Sequence, residues 1–179
     1  IYPLYFVIIA SVSDPYAVVL GSVYLWPKGL TLEAYRNVFR ESRIWVGYRN
    51  TVFYTVLGTL FSLVLIIPCA YGLAKKRLPG RGLLGIYFLI PMYFSGGLIP
   101  TYLQVKGLGL INQSYSLVVL AAMSVYNMIV TRVYFQNSIP EELYESARID
   151  GSSEFGTFFR IALPLSKPIL ATLSLFYAV

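Results

Sequence analysis

The chain has 179 residues, of which 57% are hydrophobic and 12% charged, against about 25% charged in a soluble globular domain. It carries a formal charge of +6, no histidine and one cysteine, Cys69. A His-based catalytic triad, a His metal site and an internal disulfide are excluded, and the basic residues sit between long apolar runs, where lipid headgroups rather than nucleic acid explain them.

Ile1 to Ser13 opens the chain as a short apolar run, which predicts part of a first transmembrane helix, and Pro168 to Val179 closes it with another partial run. The expectation is a fragment cut at both ends. Asp14 to Arg49 is polar enough to leave the membrane. Within it, Thr31 reads as a helix cap, and Leu32, Tyr35 and Phe39 recur on one face, with Arg36 and Arg40 elsewhere. This pattern predicts a short amphipathic helix lying along a membrane surface.

Three uncharged runs reach the roughly 20 residues that a transmembrane helix needs. They are Asn50 to Ala74, Gly82 to Val105 and Gly107 to Thr131. Their continuous apolar character does not fit the alternating polarity of a membrane β-barrel. The predicted fold class is all-α, a polytopic transmembrane helical bundle. Pro68, Pro91 and Pro100 lie within or at the ends of these spans, where neighbouring helices can re-satisfy the freed carbonyls. The compact Lys75-Lys76-Arg77 cluster favours the cytoplasm for its side of the membrane.

The segment from Gln136 to Pro164 holds five of the chain's eight acids: Glu141, Glu142, Glu145, Asp150 and Glu154. Ser138 can cap a helix with Pro140 in its first turn, and Glu141 three residues on would complete a capping box. Gly151 suits the left-handed position that ends a helix. Ser152 or Ser153 can cap a second helix, in which Phe155, Phe158 and Phe159 recur at helical spacing and Leu163-Pro164 marks the stop. The reading is two short helices joined by a tight Gly turn outside the membrane. The three phenylalanines either pack on the chain's own helices or fill a partner's groove.

The order Glu145-Ser146-Ala147, three residues, Gly151, nine residues, then Ile161-Ala162-Leu163-Pro164 resembles the EAA motif of ABC-importer permeases. The chain keeps the family's spacing throughout and departs from it at Ser146, a small residue in place of alanine. Gly47-Tyr48-Arg49-Asn50-Thr51 looks like the family's "NT" span start. Gly96-Gly97-Leu98-Ile99-Pro100 and Ile149-Asp150-Gly151 resemble its carbohydrate-importer branch, the maltose-transporter and lipoprotein-associated types.

The resemblance implies a type I importer fold with residues 1–13 as a partial helix, 14–49 external, 50–179 the transmembrane core and 136–164 a cytoplasmic coupling loop. It implies two ATPase subunits, a second permease and an extracellular substrate-binding protein as partners, in the plasma membrane of a prokaryote. It implies no cofactor or metal in this subunit, and no Gly-rich phosphate loop is present. On the loop it assigns partner docking and coupling to Glu141, Glu145, Ser146, Ala147, Asp150, Gly151, Ile161, Leu163 and Pro164. Glu145 would pair with a basic group on the ATPase, Ser146 and Ala147 would allow close approach, and Gly151 would supply the turn.

A sugar pathway stacks rings on aromatic faces and bonds hydroxyls to polar groups. Tyr87, Tyr93, Tyr102, Tyr126 and Asn127 are the candidates within the spans, with an interfacial aromatic belt as the alternative role for the tyrosines. Asn127, strongly polar within a span, is the first choice to face a cavity. Importers of an amino acid, peptide or polyamine, and a non-transporting scaffold, are the rival readings. A membrane enzyme is disfavoured because the spans contain no Asp, Glu, Lys, Arg or His.

Overall fold

A computed structural model describes residues 2–179, which fall into two compact units, Ile1–Val52 and Phe53–Val179. Ile1, the start of the expected first helix, lies outside the described residues.

In the first unit, α1 (Tyr2–Ser11) is apolar but only ten residues long. Asp14 then caps α2 (Pro15–Val19): its Oδ1 accepts from the Tyr16 N–H at 3.1 Å, with Pro15 supplying a first turn that needs no donor. The loop that follows is pinned to the end of α1 by backbone bonds, Asp14 N–H to the Lys28 carbonyl at 2.9 Å and Thr31 N–H to the Val12 carbonyl at 3.0 Å. Ile9, Ser13 and Val23 are buried there. Helix α3 (Glu33–Arg40) starts with Leu32 at the cap position. Thr31 acts one residue earlier than expected, its Oγ1 accepting from the Glu33 N–H at 3.2 Å. Tyr35 and Phe39 are exposed along α3, and the Tyr35 hydroxyl meets Ser11 Oγ at 2.9 Å. Helix α4 (Ser42–Ala74) begins in this unit, so Gly47–Thr51 lies inside a continuous helix rather than at its start.

The second unit is built around the last third of α4. Its 33 residues extend about 50 Å at 1.5 Å per residue, well beyond the roughly 30 Å of a bilayer's hydrocarbon core. Ile66, Ile67, Ala70, Tyr71 and Leu73 form one wall of a core. The other walls are Met128 and Phe135 of the helix Val125–Asn137, Phe158 and Ala162 of the loop, and Ile169 and Leu173 of the last helix.

Two expected spans differ from the sequence reading. The run from Gly82 to Val105 is two helices, α5 (Arg81–Tyr93) and α6 (Leu98–Gly107), bent by 117° at the break. Gly97 sits in the break at φ 83°, ψ −176°, a backbone region open essentially to glycine alone. The run from Gly107 to Thr131 is also divided, into α7 (Ser116–Leu120) and α8 (Val125–Asn137), with Gly109 and Asn112 at positive φ before α7. Among the described residues one helix, α4, is long and apolar enough to cross a membrane, and up to three spans result if each bent pair counts as one. Gly97 marks the first break, and Gly109 and Asn112 delay the start of α7, whereas the α7–α8 break at 121–124 carries no positive φ.

Candidate partner-docking loop

Helix α9 (Glu141–Ile149) has Glu141 and Glu142 in its first turn and Arg148 in its last, each charge complementing the helix dipole. The expected capping box does not form. Pro140 takes the cap position with no side-chain bond, while Ser138 closes α8, its N–H donating to the Tyr134 carbonyl at 2.8 Å. The Glu141 carboxylate is engaged elsewhere, with Lys76. Proline before the helix fixes the chain's entry and removes a donor that would need a partner.

The turn after α9 forms as expected. Gly151 stands at φ 74°, its N–H donates to the Arg148 carbonyl at 3.0 Å, and the Ser152 N–H reaches back to the Ala147 carbonyl at 2.8 Å. This paired closure satisfies carbonyls that the helix end leaves free. Ser153 then caps α10 (Glu154–Thr157), its Oγ accepting from the Gly156 N–H at 3.1 Å.

Leu163-Pro164 is not the stop. The chain continues through a π-helical turn (Phe158–Ala162) into α11 (Leu163–Leu165), and bends by 76° before α12 (Lys167–Ala178). Pro164 has no N–H for the Arg160 carbonyl, and the Leu163 N–H instead closes a wider ring to the Phe158 carbonyl. Ser166 lies buried at the bend, with its Oγ donating to the Ala162 carbonyl.

The hairpin is fastened to the end of α4. Lys76 pairs with Glu141, and Lys75 with Glu154 at 3.6 Å; Glu154 also takes Arg148 at 3.6 Å. The Lys75 ammonium lies 3.5 Å from the Tyr144 ring centroid and 4.6 Å from that of Tyr71. Burial lowers the Lys75 pKa, and Glu154 opposes that shift. The hydrogen bond from Lys76, more than any other influence, lowers that of Glu141. Burial, with a smaller contribution from Glu141, pushes the Tyr144 phenol up to about 12. A groove of about 460 Å³ opens beside these residues, walled by Pro68, Tyr71, Phe155, Phe158 and Phe159 and edged by charged groups that include Glu145 and Arg77.

The loop residues singled out from the sequence divide by exposure. Glu141, Glu145, Ser146, Asp150, Gly151 and Pro164 are exposed, and among the described residues neither Glu145 nor Asp150 makes an ion pair. Ala147 is only 5% exposed, so its small side chain is enclosed by its own chain, and Leu163 packs against the core with Ile161 half-buried. The phenylalanines split as well: Phe158 is buried at 7% exposure, whereas Phe155 (78%) and Phe159 (60%) are open.

The tyrosines proposed for a substrate pathway are exposed, Tyr87 and Tyr93 on α5, Tyr102 on α6 and Tyr126 on α8. Asn127 is half-buried on α8. None of them lines the groove or the adjoining cavity of about 400 Å³ beneath α9. In the sequence the 75–77 cluster points to orientation alone, and the contact of Lys75 with Tyr71 and Tyr144 emerges only in the fold. Its one trace in the sequence is the spacing of Tyr71 and Lys75, one helical turn apart at the end of a span.

The described elements are all helical, and a capped double-helix loop is clasped to the end of the one helix long and apolar enough to cross a membrane. Residues 44–179 match the family described as "Binding-protein-dependent transport system inner membrane component", and the chain belongs to that family. It is 44% identical over its full length to "Protein LplC" of Bacillus subtilis (strain 168). It is 44% identical over 99% of its length to the "Polygalacturonan/rhamnogalacturonan transport system permease protein YtcP" of the same strain.

The chain spans 60% and 62% of the length of these two relatives. Among solved structures, it is similar to a chain of a bacterial ABC transporter involved in the import of the acidic polysaccharide alginate. The TM-score is 0.91 with 37% identity, over 99% of this chain and 63% of that one. The fold is that of an ABC-importer permease.

Proposed function

We propose that this chain is the core of a multi-pass permease subunit of an ATP-driven importer for a sugar or oligosaccharide, coupled to its ATPase through the loop 136–164. The observation that carries the reading is the hairpin itself. Its turn at Gly151 closes with both paired backbone bonds, and Glu145 stands exposed beside it with no ion pair among the described residues. A carboxylate so placed on a helix that its own chain holds rigid is available to a basic group on a partner.

The subunit sits in the plasma membrane of a prokaryote. A second permease completes the pathway, and an extracellular binding protein delivers the solute. The subunit catalyses no reaction, since ATP hydrolysis belongs to the partner. Two similar proteins carry names tied to acidic polysaccharides, polygalacturonan/rhamnogalacturonan and alginate, so uronate-containing oligosaccharides are the first substrates to test. These names favour a saccharide over an amino acid, peptide or polyamine.

The test is co-purification with the ATPase subunit together with substrate-stimulated ATP hydrolysis, on the full-length permease in its assembled transporter. Glu145→Lys and Gly151→Asp are expected to leave the protein in the membrane and abolish stimulation. Unchanged assembly and unchanged stimulation in both would refute the coupling assignment.

A further inference from the structure

We propose that Lys75 is the positioning residue that makes the loop hairpin and the end of α4 move as one body, so that ATPase docking is transmitted to a transmembrane helix. The inference rests on the coupling role proposed above for the same loop.

Lys75 follows the last residue of α4 and touches three separate elements. Its ammonium lies over the Tyr71 ring of α4 and the Tyr144 ring of α9, and it pairs at 3.6 Å with Glu154 at the start of α10. Glu154 in turn holds Arg148 near the end of α9 at 3.6 Å. One cation therefore joins the span to both helices of the hairpin.

The neighbouring Lys76–Glu141 pair differs in its surroundings. Both its side chains are largely exposed, at 75% and 51%, and such pairs are screened by salt and contribute little. The Lys75 side chain is 20% exposed, and although its partner Glu154 is 65% exposed, the cation itself is screened from water by the two rings. A cation on aromatic faces gains more when water is withdrawn from it.

Aromatic packing alone would hold the two elements together but would let one slide over the other. The charge contact to Glu154, added to the two ring faces, gives the cation three points of attachment and so restrains the angle between the hairpin and α4. Removing the cation should leave the hairpin folded, since the Gly151 turn and the Ser153 cap are internal to it, while freeing its angle to the span.

The experiment uses the assembled full-length transporter with Lys75→Met, which keeps an unbranched apolar stem, and Lys75→Arg, which keeps the charge and the ring contacts. Lys75→Met is expected to co-purify with the ATPase yet to lose at least about fivefold in substrate stimulation over basal hydrolysis, the low end of ordinary coupling between sites. Lys75→Arg is expected to restore most of it.

Wild-type stimulation in Lys75→Met would overturn the proposal, and so would equal loss in Met and Arg, which would assign the effect to packing shape. If Lys75→Met does not assemble, Glu154→Gln decides: assembly with lost stimulation supports the proposal, and full stimulation overturns it. A wild-type transporter that shows no ATPase association or stimulation would instead refute the coupling reading itself.

Discussion

Phe158 sets its ring against Tyr71 with centroids 4.9 Å apart, and this contact joins the π-helical turn that follows α10 to the end of α4. Tyr71 meets Phe135 of α8 in the same cluster, at 5.5 Å. Truncating Phe158 to alanine removes a buried aromatic from a packed junction and should cost about 3 kcal/mol, at the lower end for such changes. Phe155→Ala, on an open side chain, should shift stability by less than about 0.5 kcal/mol. Thermal unfolding of the two variants in the assembled transporter distinguishes them. A loss of ATPase association in Phe155→Ala at unchanged stability would mark that ring as facing the partner.

Gly151 supplies a second prediction, because its φ of 74° and its open surroundings separate strain from crowding. A Cβ built there meets nothing within 4 Å. Gly151→Ala should therefore cost only the left-handed penalty, roughly 1 kcal/mol, and Gly151→Asn less. A β-branched Gly151→Val should cost more than either. The ordering, read from unfolding midpoints, checks that the turn geometry and not a close contact demands glycine.

The Glu141 carboxyl has a depressed pKa in the folded protein, chiefly through its hydrogen bond from Lys76. Its contribution to clasping the hairpin is therefore present above the ordinary carboxylate range. It fades as pH falls through the depressed value, where protonation removes the pair. Because the pair is exposed, hairpin opening, followed by hydrogen exchange of the α9 amides, should increase only slightly on acidification and on raised salt near neutral pH. Glu141→Gln should show neither dependence at this site, with Lys75–Glu154 intact.

Much of this fold was legible where a single residue dictates local geometry. Gly151 demanded a left-handed turn and formed one, and Ser153 capped the helix that begins beside it. Legibility failed where two signals compete for one residue. Ser138 and Glu141 have the spacing of a capping box, but Lys76 claims the carboxylate and Ser138 closes the preceding helix. That competition arises from a residue 65 positions away, which no local pattern contains.

The apolar runs show a different limit. Hydropathy reports how apolar a segment is, and it predicts Gly82–Val105 and Gly107–Thr131 as full spans without revealing that each is broken. The π-helical turn before Pro164 belongs to the same class. The proline was visible, but whether the chain would stop or widen depended on burial of Phe158 and Ala162 in the core.

The break between α5 and α6 yields the last prediction. Gly96 and Gly97 are adjacent in sequence but differ in what they tolerate. Gly97 lies at φ 83° with ψ near 180°, where a side chain is strained even though no atom lies within 4 Å of a built Cβ. Gly96 has no positive φ, and its Cβ would stand 3.5 Å from Pro100 Cβ, an ordinary contact. Gly97→Ala should therefore cost about 1–3 kcal/mol or shift the 117° bend, while Gly96→Ala should be nearly silent. Thermal unfolding tests the first effect, and distances between spin labels at Leu89 and Leu103 in the assembled transporter test the second. Equal behaviour of the two variants would show that the bend is held by the surrounding helices and not by the Gly97 backbone.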